Sequence, residues 1–166
     1  MINKMKLALA GAVIATGMVS NAAYAATEQA QATVDVLAAV AITVDAPLDF
    51  GVVAASATGG TVTIGASAAA TAAGTGVIAI SGSSAGRFHV SQATNGETID
   101  LTVGNPSSLT GPGAPIALSG LGLSTSSIVY SSTTPETVYV GGTISLNPNQ
   151  TAGAYTGTFD VTAEYQ

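Results

Sequence analysis

The sequence predicts an all-β, antiparallel β-sandwich, and three observations predict it. Apolar and polar residues alternate with a period of two in one segment after another, helical periodicity is nearly absent, and clusters of turn formers separate the segments. Side chains of a strand point alternately to opposite faces, so each such segment has one dry face and one wet face. Short strands with no helical segments between them are the signature of two packed sheets.

The first 25 residues stand apart from that pattern. Lys4 and Lys6 precede an apolar stretch from Leu7 to Val19, and Ala23-Tyr24-Ala25 supplies the small-x-small pattern that signal peptidase reads. Cleavage is expected after Ala25, which leaves 141 of the 166 residues. The apolar stretch is short for a membrane span, which needs about 20 residues. No stop-transfer cluster follows it, and no later segment could span a bilayer, so the chain is expected to be exported.

Val34, Val36, Ala38, Val40, Ile42 and Val44 then occupy every even position of one stretch, and Val40, Ile42 and Val44 are expected in the first strand of the domain. Val62 and Ile64 alternate with Thr61 and Thr63, and Gly76 to Ile80 is a short β-branched run. Phe88 and Val90 alternate with Arg87, His89 and Ser91; Ile99, Leu101 and Val103 alternate with Thr98, Asp100 and Thr102. Ile128 and Tyr130 mark a short segment, and Val138, Val140, Ile144 and Leu146 a longer one. In the last stretch Tyr155, Phe159, Val161, Ala163 and Tyr165 face one way, and Thr156, Thr158, Asp160, Thr162, Glu164 and Gln166 the other. Gly59-Gly60, Gly82 to Gly86, Asn95-Gly96, Gly111-Pro112-Gly113 and Asn147-Pro148-Asn149 are among the turn formers between them. Ala66 to Ala73 is rich in a strong helix former. It is too short to hold a helix alone, isolated helices below about 12 residues being marginal, and is expected to be a loop or a turn of helix at the surface.

Charge narrows the function. Only 7% of residues are charged, against about 25% in ordinary domains. Arg87 is the single Lys or Arg after Ala25, against nine acids, so the exported part carries a side-chain charge of −8. A phosphate-binding surface needs Lys and Arg to displace counterions, which excludes nucleic acid as a partner. A sparsely charged surface rich in Thr and Ser suits packing against copies of itself. There is no cysteine, so no disulfide supports the fold even though exported chains can form them.

The catalytic inventory is thin. One histidine, His89, and scattered acids offer no zinc set of three or four ligands. No metal, cofactor or catalytic residue is expected. Gly82-Ser83-Ser84-Ala85-Gly86 matches the G-x-S-x-G pattern of a nucleophile elbow. An elbow must feed a helix, and its acid and histidine follow at a distance. Here Arg87 to Val90 continues as a strand pattern and His89 lies too close, so a glycine-rich hairpin connection is the expected reading.

The C-terminal stretch carries a resemblance. The chain ends in Tyr165-Gln166 after an alternating strand, and Gly153 is fourteenth from the end; in these features it resembles pilins of the chaperone–usher type. Leu48-Asp49-Phe50-Gly51, Val140-Gly141-Gly142-Thr143 and Gly153-Ala154-Tyr155-Thr156-Gly157-Thr158-Phe159 resemble the fimbria-like bacterial family called domain of unknown function 4402, which is similar to the spore coat protein U family. The resemblance implies an immunoglobulin-like sandwich over residues 39–166 and no catalysis. It departs from common pilins in lacking their disulfide.

A pilin implies a sandwich short of its final strand, whose open edge and dry groove are unstable alone. A periplasmic chaperone fills the groove first, and the N-terminal extension of the next subunit replaces it at an outer-membrane usher. Residues 26–38, Pro-free and alternating, with Ala32, Val34, Val36 and Ala38 on one side, are either that donor strand or simply the first strand of a complete sandwich. Ten residues at about 3.3 Å each reach about 33 Å, enough to span a sandwich. On the donor reading Gly153, Tyr155, Phe159, Val161, Ala163 and Tyr165 form the C-terminal strand beside the groove or in the core. The two functions that follow are a self-associating subunit of a surface fibre, passing through the periplasm, and a self-contained secreted or surface coat or adhesion module without strand exchange.

Overall fold

Eleven strands form among residues 26–166, the part of the chain described by the computed structural model. The expected signal peptide, residues 1–25, lies outside the described residues. Two units divide the chain, the first ending at Val34 and the second running from Asp35 to Gln166. Residues 26–34 of the first unit are exposed and form no strand.

The second unit holds β1 (Ala41–Ala46), β2 (Val52–Ala55), β3 (Gly60–Ile64), β4 (Ala73–Thr75), β5 (Val77–Ser81), β6 (Gly86–Gln92), β7 (Thr98–Gly104), β8 (Ala117–Leu123), β9 (Ser127–Val129), β10 (Thr137–Leu146) and β11 (Asp160–Tyr165). Their pairings are all antiparallel. The protein is all-β, with antiparallel sheets consistent with a β-sandwich.

The ten-residue β10 organises the largest sheet. Along one edge it carries two strands in tandem: β6 over Thr137–Val140 and β3 over Gly142–Leu146. Along the other it pairs β8 between Val140 and Ser145. Outside this row β1 pairs β6 and β4 pairs β3. Gly141 stands where β3 departs and β6 takes over. A Cβ there would collide with the Ile64 carbonyl oxygen and lie 2.7 Å from the Ala66 nitrogen. The remaining strands form a three-stranded sheet, β11-β7-β9, and a two-stranded sheet, β2-β5.

The period-two pattern sorts the faces as the sequence leads one to expect. Val62 and Ile64 of β3 are buried while Thr61 and Thr63 are exposed, and the Thr63 hydroxyl bonds that of Thr143 at 2.8 Å on the outer face. The core falls into two clusters. One gathers Phe50, Val62, Ile64, Ala85, Ile116 and Ile144; the other gathers Val90, Ile99, Leu101, Ile128, Tyr130 and Val138. Each such aliphatic side chain contributes about 1.5–3 kcal/mol on burial, and with no cysteine in the chain these clusters carry the fold.

Three expectations change. β1 begins at Ala41, so Val40 lies just outside it, and residues 26–40 belong to no ladder. Alternation gives a segment two faces, but only a partner strand satisfies its backbone N–H and C=O groups. Gly82 to Gly86 is not a hairpin connection, because β5 pairs β2 while β6 pairs β1 and β10. It is a crossover between two sheets. Ala66 to Ala72 is a loop with a turn, as expected, and Ala73 already belongs to β4.

Gly141→Ala is therefore expected to destabilise the domain by about 1–3 kcal/mol, since backbone rather than a movable side chain meets the new methyl. Equilibrium urea unfolding of the variant checks this; an unchanged midpoint would contradict the tandem-strand geometry.

Candidate functional site

The chain crosses between sheets at Pro47 to Gly51, and this crossing builds one wall of a groove. Asp49 and Ser84 exchange backbone hydrogen bonds of 2.9 and 2.7 Å. The Asp49 Oδ1 accepts the Gly51 N–H at 2.8 Å, a local turn typical of aspartate. Phe50 enters the core, and β2 follows. One edge of β2 pairs β5; its other edge has no partner strand among the described residues.

The opposite wall is Gln150 to Tyr155. Gly153 has φ +147°, and a Cβ on it would lie 2.5 Å from Pro112 Cγ, so glycine is the residue this bend accepts. Tyr155 is held by its hydroxyl, which accepts the Gln150 Nε2–H at 2.9 Å and donates to the Thr151 carbonyl at 2.9 Å. The segment then pairs on one side only. Thr156 exchanges bonds of 2.8 and 3.0 Å with Thr110, and β11 continues the row against β7. The far edge of β11 has no partner strand among the described residues.

Between the walls lies a cleft of about 780 Å³, bordered by Val52–Ala55 and Gln150–Tyr155 and floored by Leu109, Ile116, Ile144 and Leu146. Ile116 and Ile144 belong to the first core cluster. The cleft thus reaches the edge of the core.

Val44 lies on β1. It pairs in register with Phe88, and directly opposed residues share a face of the sheet. Phe88 is buried and meets Phe159 edge to face, with ring centroids 6.1 Å apart. Val44, on that same inner face, is 62% exposed. On β11, Val161, Ala163 and Tyr165 are only half-buried, whereas Ile99 and Leu101 on the adjacent β7 are buried. Val40, Ile42, Ala163 and Tyr165 all pack against the second core cluster.

Of the residues expected in the C-terminal strand, Gly153 and Tyr155 border the cleft, Phe159 meets Phe88, Val161 is half-buried, and Ala163 and Tyr165 pack against the second core cluster. Ala32, Val34, Val36 and Ala38 lie in no ladder, and Val34 and Val36 are 83% and 86% exposed. Val44, the β2 edge and the Leu109–Ile116 floor were not singled out from the sequence. An apolar residue in a strand reads the same whether or not another strand covers it, so no local signal marked Val44.

The polar groups form no catalytic constellation among the described residues. Ser84 lies in a strand bridge to Asp49 and strand β6 follows it, where an elbow needs a helix. His89 is on the outer face, its Nδ1 2.9 Å from Asp45 Oδ1, and Arg87 Nε lies 3.8 Å from the other oxygen of that carboxylate. Among the described residues no group of three or more His, Asp or Glu could hold a metal ion, and no helix is long and apolar enough to cross a membrane.

A family profile described as "Domain of unknown function (DUF4402)" matches residues 40–165. Comparison with curated proteins and with solved structures gives no match.

Because nothing covers Val44, Val44→Ser is expected to change the unfolding free energy of the monomer by no more than about 0.5 kcal/mol. Ile99→Ala, in the closed cluster, is expected to cost about 2–5 kcal/mol. Urea titration of both variants checks the contrast; a large loss at Val44 would mean that the inner face is covered in solution.

Proposed function

The chain belongs to the DUF4402 family, and on that premise we propose that it is a non-catalytic structural subunit of a bacterial fimbria or similar surface fibre, joined to its neighbours by strand donation. The observation that carries the reading is Val44, on the covered side of its sheet by register yet 62% exposed. An inner face without a cover, beside two strand edges without partners, is what a sandwich lacking one strand presents.

The missing element is supplied by another copy. Residues 26–37 of a neighbour enter the groove as an added strand, with Ala32, Val34 and Val36 turned toward the floor and Ala38, the last of the candidate segment, left at its root on its own domain. Main-chain hydrogen bonds to the free edges give strength, and the alternate side chains give register. Val34 and Val36 each gain about 1.5–3 kcal/mol when their exposed side chains are buried. The completed fold is immunoglobulin-like. The family match begins at residue 40, just past this segment, which supports treating it as an extension of the domain. Before assembly a periplasmic chaperone protects the groove and an outer-membrane usher exchanges its strand for the neighbour's. The destination is the cell surface.

Gel behaviour tests the reading. A strand-exchanged fibre runs as a ladder in unheated detergent and collapses to monomer on boiling. Val36→Asp is expected to abolish the ladder, because it removes an apolar anchor and places a charge where none can be solvated. A wild-type chain that runs as a monomer before and after heating would instead identify a self-contained coat or adhesion module.

A further inference from the structure

We infer that Tyr165 and Thr94 form a clamp that fixes the point at which the N-terminal extension leaves the domain, and that they act as positioning residues for assembly; this rests on the donor reading of residues 26–38.

The geometry is specific. Ala38 takes part in no ladder, yet both of its backbone groups are satisfied by side chains. Its N–H donates to Thr94 Oγ1 at 2.8 Å, and its carbonyl accepts the Tyr165 hydroxyl at 2.7 Å. The Tyr165 oxygen in turn accepts the Thr94 backbone N–H at 2.7 Å and lies 3.2 Å from Thr94 Oγ1. Two side chains thus do for Ala38 what a neighbouring strand does for a residue in a sheet.

The clamp sits at a boundary. Val36 is 86% and Leu37 44% exposed on its N-terminal side, while Val40 and Ile42 on the other side pack against the second core cluster. The first ladder pair of β1 is Ala41 with Gln92, and a register shift follows at once between Ala41 and Ile42. The ladder alone therefore ends three residues short of Ala38. Without Tyr165 and Thr94 the root of the extension would wander over residues 38 and 39.

A fixed root matters for directional growth. Tyr165 closes β11, so the root of a copy's extension and the end of its own β11 are held together by one side chain. Successive copies joined by such an extension form a head-to-tail, heterologous contact, and a constant offset between root and groove makes each addition repeat the last. A loose root lowers the effective concentration of the extension at the next groove.

The test uses the full exported chain with Tyr165→Phe, Thr94→Val and Thr94→Ser. The phenylalanine and valine keep ring and branch packing, so the melting temperature is expected to stay within a few degrees of the wild type. Amide hydrogen exchange is expected to speed up about tenfold at Thr94 in Tyr165→Phe and at Ala38 in Thr94→Val. The share of chain in detergent-resistant multimers is expected to fall by at least about half in both. Thr94→Ser, which keeps the oxygen, restores both readouts. Unchanged exchange at both amides overturns the clamp, and so does faster exchange with an unchanged multimer share. A wild-type chain that never forms multimers sinks the fibre reading, and the inference with it, even if the exchange data report the hydrogen bonds themselves.

Discussion

A sheet holds in water only where its apolar face is covered and its edges are paired, and the rest of this structure depends on where those two conditions stop being met. Val44 faces inward without a cover, and β2 and β11 are among the strands with only one paired edge. The opening is not a loosely packed margin. Its borders are tied on one side by the Asp49–Ser84 bridge and on the other by Gly153 seated against Pro112.

The opposite end of the domain shows how the same elements look when closed. Ile99, Leu101, Ile128 and Val138 are buried together, and the ends of β1 and β11 supply Ile42 and Tyr165 to that cluster. β10 links the two ends. By carrying β6 and β3 in tandem along a single edge, it runs through both clusters, contributing Val138 to one and Ile144 to the other. One long strand thereby does the joining that a disulfide does in other exported domains.

Much of the fold was legible because burial has a period of two in strands. Thr61 to Ile64, Arg87 to Val90 and Thr98 to Leu101 sort into inner and outer faces as their alternation implies. Pairing was not legible. The partners of β10 begin 77, 51 and 20 residues upstream at Gly60, Gly86 and Ala117, and nothing local in Thr137 to Leu146 names them. The same blindness turned Gly82 to Gly86 into a hairpin on paper, since glycine-rich composition marks a change of direction but not which sheet comes next. Of the groove, the C-terminal wall was visible through Gly153 and Tyr155. The β2 wall was not, because Val52 to Ala55 is four short apolar residues with no polar partner to set a phase.

The ionic contact on the outer face has a consequence for solution conditions. Arg87, the one Lys or Arg among the described residues, already stands beside Asp45, with His89 bonded to the same carboxylate. Little cationic surface remains to meet the acids of another copy. Dissolved electrolyte weakens attraction between opposite charges and softens repulsion between like ones. Between copies of so acidic a chain only the second effect has much to act on, so brine should tighten their association where it would loosen that of proteins held by ion pairs.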